Sequence, residues 1–279
     1  KKYYKEVSAS LSQQNFSNTS FHILGYSDYE EHEYETFKLI WKKFLLISED
    51  NNLKGLQYFL KKKLESPFKF RYAVLQIKDE IVNASAVITD IKTYLLSIKY
   101  LKNLGYKVVF GGSEIIPEIF LEYGVLDFKR VCKQNYLNEL RLINNAEVVI
   151  SSPSGYAFLA SALNKKLLYC NQWSITIPQP GVLTLQVPCR IRKNGNLLSL
   201  SQQYKYMDKQ KASCNHAKGY SFEHPSGEII LSSLKELLSE KNNYENNFYV
   251  KNFRSKYKEN FGELISRPSI SSLKDFDDS

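Results

Sequence analysis

The sequence predicts an α/β protein: a Rossmann-like parallel sheet with flanking helices, a helical segment before it and a helical tail after it. Three observations predict this. From Arg71 onward, short apolar runs alternate with longer amphipathic stretches. The short runs YAVLQI, YKVVFGG, EVVI and KLLYC have strand length, and helical patterns separate them, which gives right-handed βαβ units. Several of these runs close on glycine or serine, as in VVFGG and VISSPSG, where a strand hands over to a helix.

Each element follows from its own residues. Residues 1–65 are expected to form a mainly helical segment. Its first nineteen positions are polar, residues 29–44 read as a helix ending in IWKKFLL, and SEDNNLKGLQYFLKKKLES reads as another. Ser48 or Asp50 would cap that second helix, with Leu53, Leu56, Phe59 and Leu60 as its apolar stripe. Residues 66–240 hold the sheet. YAVLQI is the first strand, ending at Lys78-Asp79. ITDIKTYLLSIKYLKNLG is the clearest helix: Asp90 caps it, Ile91, Tyr94, Leu95, Ile98 and Leu101 recur at helical spacing, and Gly105 stops it. YKVVFGG is the next strand. A short helical piece and a third strand in GVLDF follow, then the helix NYLNELRLINN, the strand EVVI, the helix GYAFLASAL and the strand KLLYC. Residues 172–220 lose periodicity and read as loops with short strands or helices. HPSGEIILSSLKELLSE restores a helix, with Ile230, Leu234, Leu237 and Leu238 inward. The tail, residues 241–279, is charged and aromatic, with one amphipathic helix expected over 253–261.

Composition narrows the function classes. Hydrophobic residues at 43% and charged residues at 24% are those of a soluble globular protein. A net charge of +9 favours anionic ligands. The basic residues are dispersed, with no arginine-rich arm, so nucleic acid is not an expected partner. The 20 tyrosines suit partly wet grooves. Cys132, Cys170, Cys189 and Cys214 form no CxxC pair and no zinc-finger spacing; Cys132 and Cys170 sit in apolar contexts and are expected to be reduced core residues. No apolar run spans a bilayer and no secretory pattern opens the sequence, so a cytoplasmic protein is expected. The opening Lys1-Lys2, without a Met, is compatible both with a reduced version of a larger protein and with a piece of one.

In a parallel sheet, ligands bind beyond the carboxyl ends of the strands. Three such ends carry candidate residues: Lys78-Asp79, Gly111-Gly112, and Ser151 to Gly155. The last opens a helix. Free N–H groups there carry partial positive charge, serine hydroxyls add donors, and glycine lets a phosphate approach the backbone. Ser151, Ser152, Ser154 and Gly155 therefore form a candidate phosphate cradle. The structural alternative is that Ser154 merely caps the helix and Gly155 eases packing. Gly111-Gly112 is either a turn or another point of close approach. Asp79 is a candidate general base or ribose-hydroxyl acceptor, and Asp90 reads as a cap. His32 reads as exposed. His224-Pro225 resembles the His-Pro pair of sialyltransferase-like enzymes but reads here as a helix lead-in. There is no GxGxxG, P-loop, GxSxG, HExxH or DxD motif, so no metal anchor is visible.

From Phe44 to the tail, the order of motifs resembles a family of bacterial glycosyltransferases with a GT-B-like donor domain, found among surface-polysaccharide genes. The family's strand ending in Arg-Asp, its Asn-rich loop and its "Asp-Ile-x-x-Tyr" helix match QIKDEIVNAS and TDIKTYLLSIKYLKNLG. Its "V-I-R-M-G" matches VVFGG, its "F-I-x-S-x-S-G" matches VISSPSG, and its strand ending at Asn matches LLYCNQW, which places Asn171. "T-P-E-E-I" matches HPSGEIILSSLKELL, and "I-S-x-S-F-L" matches LISRPSISSL.

The resemblance implies a metal-independent transferase that moves a sugar from a nucleotide-sugar donor to a glycan or lipid-linked acceptor, with no cofactor beyond that substrate. Residues 66–240 would then be the nucleotide-sugar-binding domain. Lys78, Gly111, Gly112, Ser151, Ser152, Ser154, Gly155 and Asn171 would face the donor, and Asp79 would be the base. Peripheral contact with the inner membrane and a homo-oligomer are compatible with this reading. Two departures stand out. The family's arginines before Asp and before Gly are Lys78 and Phe110 here. Lysine holds a phosphate only as a point charge, and phenylalanine carries no charge to pair. These losses motivate a second reading: a catalytically silent subunit that binds or scaffolds within a glycan-assembly complex.

Overall fold

The computed structural model describes residues 66–78, 90–133, 136–172, 183–199, 202–203, 219–239, 244–261 and 267–277. The helices expected before residue 65, Asp79, Cys214, and His22, His32 and His216 lie outside the described residues.

β1 (Tyr72–Gln76) is buried at all five positions. Its residues alternate between two layers. Ala73 and Leu75 join one core, and Tyr72 and Val74 the other. Burial on both faces explains why the strand reads as a continuous apolar run. A 3₁₀ turn over Ile91–Tyr94 then leads into α1 (Leu95–Asn103). Asp90 starts it as expected, its carboxylate accepting the Lys92 N–H at 3.0 Å. Gly105 stops it in the left-handed region, at φ 83°.

β2 (Lys107–Phe110) and α2 (Glu118–Glu122) follow. The strand expected in GVLDF shrinks to β3 (Leu126–Asp127), because Asp127 already caps α3 (Phe128–Val131) by accepting the Lys129 N–H. α4 (Tyr136–Asn145), β4 (Val148–Ser151), α5 (Gly155–Ala162) and β5 (Lys166–Gln172) come in the expected order.

The stretch expected as loops with short strands or helices holds a sixth strand of the main sheet, β6 (Thr184–Pro188), parallel to β5. It also holds a small antiparallel sheet of β7 (Arg190–Lys193), β8 (Asn196–Leu197) and β9 (Tyr220–Glu223), in the order β8-β7-β9. Asn194 and Gly195 join β7 to β8 with φ of 48° and 82°, the pair of positive angles that a type I′ turn requires. The main sheet runs β3-β2-β1-β4-β5-β6, with every pairing parallel. That is the doubly wound Rossmann order, and it confirms the fold class.

α6 (Gly227–Leu238) buries Ile230, Leu234 and Leu237 against the sheet, with Leu238 partly buried. α7 (Phe248–Phe261) begins before the expected residue 253, because the Asn247 side chain accepts the Tyr249 N–H at 3.0 Å and caps it earlier. α8 (Ile270–Asp277) was not expected. Its lead-in extends the sheet edge: Gln186 N–H donates to the Arg267 carbonyl, and Ser269 N–H to the Gln186 carbonyl, each at 2.8 Å. Val250, Phe253, Leu273 and Phe276 share the core of α1, α2 and α6, while α3, α4 and α5 cover the opposite face. Cys170 is a buried free thiol as expected, but Cys132 is only half-buried, at the end of the short α3. Among the described residues no helix is long and apolar enough to cross a membrane.

Candidate functional site

The sheet reverses direction of growth between β1 and β4. β2 and β3 extend it one way from β1, and β5 and β6 the other way from β4. Helices leave on opposite faces at such a point, so a crevice opens beyond the carboxyl ends of these two strands. The cradle residues converge there. Gln76 pairs with Ser151 in register. Beyond them the Gln76 carbonyl accepts the Ser152 N–H at 3.0 Å, and the Lys78 N–H donates to Ser152 Oγ at 3.1 Å. The Ser152 side chain thus ties the Lys78 backbone to the loop after β4.

Ser151 and Ser152 are buried, and their hydroxyls bond within the protein. Ser151 Oγ lies 2.9 Å from Gln76 Oε1 and from its neighbour's carbonyl, and 3.1 Å from Ser154 Oγ. Ser154 Oγ donates to Gln76 Oε1 at 2.7 Å and accepts the Ala157 N–H at 3.4 Å, so Ser154 caps α5. Gly155 is exposed, and among the described residues a Cβ at this position would meet nothing within 4 Å. Glycine is therefore not required here for packing. Without a side chain here, a phosphate has room to approach the N-terminus of α5.

The glycine pair has structural reasons of its own. A side chain on Gly111 would overlap the Tyr156 hydroxyl. That hydroxyl donates to Glu139 Oε2 at 2.5 Å, and burial, reinforced by the Glu139 charge, raises its pKa well above the ordinary tyrosine value. Gly112 sits in the left-handed region at φ 93°, and a Cβ there would come 2.9 Å from Gln76 Cγ. Both glycines let neighbouring groups close around the crevice.

Asn171 lies at the end of β5, where the register against β6 shifts, with φ 56°. It is fully buried. Its Nδ2 donates to the Tyr94 hydroxyl at 2.6 Å, and its Oδ1 lies 3.2 Å from His224 Nδ1. Cys189 Sγ is 3.5 Å from the same ring nitrogen. Burial lowers the His224 pKa against the pull of Asp90, which favours a neutral ring. A neutral ring that donates Nδ1–H to Asn171 keeps Nε2 as an acceptor. Burial pushes the Cys189 thiol up to about 12, so it is a packed group and not a nucleophile.

No family model matches the chain, and no curated protein matches it. Several solved structures follow part of its course. One is the dodecameric iron-containing heptosyltransferase TibC, from enterotoxigenic E. coli, in complex with ADP-D-beta-D-heptose: 21% identity over 44% of this chain and 33% of that one, TM-score 0.33. Another is a glycosyl transferase family 9 protein from Veillonella parvula: 13% identity over 82% of this chain and 57% of that one, TM-score 0.40. A third is the E. coli ADP-heptose LPS heptosyltransferase II: 15% identity over 68% and 52%, TM-score 0.38. This chain thus spans between a third and little more than half of the length of these proteins. Similarity this loose does not transfer an activity.

One residue of the site, Gln76, was not singled out in the sequence, and His224 was read only as a helix lead-in. Gln76 braces the whole loop after β4, yet in sequence it is one polar residue in an apolar strand. His224 is the helix lead-in expected, with Ser226 capping α6 by accepting the Ile229 N–H at 3.3 Å. It also reaches Asn171, and the His-Pro pair was the signal for that. Lys78, Ser152, Ser154 and Gly155 lie together at the crevice, whereas Gly111 and Asn171 support its walls.

Proposed function

We propose that the chain is a metal-independent glycosyltransferase whose crevice between β1 and β4 binds the diphosphate of a nucleotide-sugar donor. The observation that supports this most is the strand order, which puts the open N-terminus of α5, at Gly155, at the point where the sheet reverses. The motif resemblance points the same way. In the reaction, the bond from the sugar's anomeric carbon to the diphosphate breaks and its electron pair leaves with the phosphate oxygen. The acceptor hydroxyl forms the new bond and gives its proton to a base, for which Asp79 is our candidate. The α5 N–H groups and Lys78 would stabilise the departing charge. The acceptor is a glycan or a lipid-linked glycan.

A thermal-shift screen with UDP, GDP, CMP, dTDP and their sugars tests this reading. A ligand at a hundred times its Kd adds about 2.7 kcal/mol to folding stability. One nucleotide should raise the melting temperature selectively. No shift with any of them contradicts the proposal.

Phe110 favours the second reading, the silent subunit. Where the family has an arginine, this ring is buried and packs 6.1 Å from Phe120 in the core. That position contributes no cation to the crevice. A nucleotide that binds without sugar turnover or donor hydrolysis would select the silent subunit.

A further inference from the structure

We propose that Gln76 itself holds the ligand: its side-chain amide Nε2–H₂ donates to a phosphate oxygen in the crevice between β1 and β4. The inference rests on reading that crevice as the donor-phosphate site, and it names a direct contact there that neither composition nor motif order indicates.

Gln76 is 3% exposed, at the end of an otherwise apolar strand. A primary amide offers an oxygen that accepts and a nitrogen with two N–H donors. Oε1 lies within hydrogen-bond distance of two hydroxyls, Ser151 Oγ at 2.9 Å and Ser154 Oγ at 2.7 Å. Among the described residues Nε2 has no hydrogen-bond partner. Ser154 Oγ accepts the Ala157 N–H at 3.4 Å and donates to Oε1, so the oxygen end of the amide faces the serines. An aliphatic residue would fill the end of this apolar strand without leaving an amide to satisfy.

The amide sits beside the proposed ligand site. Of the serines that hold Oε1, Ser151 ends β4 and Ser154 caps α5, so the amide lies between the end of β1 and the α5 N-terminus. On the β2 side lies Gly112, where a Cβ would stand 2.9 Å from Gln76 Cγ and 3.7 Å from Nε2. Nε2, the first N–H groups of α5 and Lys78 are all donors. A ligand atom that only accepts suits such donors. An ionised phosphate oxygen meets that requirement, and a sugar hydroxyl meets it less well.

The test uses the whole chain, with inorganic pyrophosphate and with UDP, ADP, GDP and CMP as probes. Gln76→Glu keeps an oxygen for both serines but replaces the amide donor. Its affinity for the probe that binds should fall by about tenfold or more, and the buried carboxylate should also lower the melting temperature. In wild-type protein labelled with glutamine carrying ¹⁵N in the side chain, the Gln76 amide signal, assigned by its absence from the variant, should move when that probe is added. If Gln76→Glu does not fold, Gln76→Met supplies the assignment. A probe that binds while the Gln76 signal stays in place, or that binds Gln76→Glu as tightly as wild type, overturns the proposal and leaves the donor-site reading standing. Pyrophosphate that moves the Gln76 signal while every nucleotide fails upholds Gln76 and overturns the nucleotide-sugar reading. Failure of every probe to bind overturns both.

Discussion

Gly111 and Gly155 are both glycines at carboxyl-terminal strand ends, and the structure gives them opposite reasons to be glycine. Gly111 faces Tyr156, whose hydroxyl is fixed by Glu139, so an added methyl group would push that ring off its partner. Gly111→Ala should destabilise the fold by about 1–3 kcal/mol, the usual cost of overpacking. Denaturant unfolding would measure this, and an unchanged midpoint would contradict the packing role. Among the described residues nothing stands within 4 Å of a Cβ at Gly155. The sequence showed both glycines as candidates because it shows where a strand hands over to a helix. It could not show which one lay under a tyrosine. Gln76 was less legible still. One glutamine in YAVLQI looks like a strand end until the serines from a loop 75 and 78 positions away close on it.

At the scale of elements, what was legible followed local physics. Asp90, Gly105 and the apolar period mark the first helix unit, and continuous apolar runs mark β1, β2 and β4. β7 and β9 were hidden because ion pairs across the strands, Arg190 and Arg192 with Glu223, stand where an apolar alternation would otherwise show. The Asn194-Gly195 turn was the signal available there. α8 was missed because its docking is tertiary. Glu236 on α6 accepts the Ile270 N–H at 2.9 Å and so holds the start of α8. Burial raises the Glu236 pKa from 4.5 to about 7, although the Ile270 N–H and Arg267 pull it down. The folded state therefore holds this proton more tightly than the unfolded chain does. The stability it confers is fully present below pH 4.5 and is lost as pH rises through about 7. Glu236→Gln keeps the acceptor and removes the titration. Between pH 5 and pH 8 the variant should gain on wild type, on the order of 2 kcal/mol. Parallel stability profiles across that range would contradict this account.

At the scale of the whole molecule, the strand order does what no single motif could. It brings the β1 end, the β2 glycines and the loop after β4 to one crevice, and it sends β5 and its Asn171–His224 network to the neighbouring wall. The individual units were legible in the sequence, and their alternation predicted a parallel sheet. The meeting of Gln76, Lys78 and Ser154 required the order in space. A positive net charge of +9 suits an anionic ligand in such a crevice. The central claim is that this ligand sits over Gly155. The most direct measurement is isothermal titration of Gly155→Trp and wild type, side by side, with the nucleotide that shifts the wild-type melting temperature. The open space over Gly155 predicts that the variant folds, with a melting temperature within about 4 °C of wild type, a difference of about 1 kcal/mol. The account predicts that this variant has lost nucleotide binding. A Gly155→Trp protein that binds the nucleotide as tightly as wild type would contradict it.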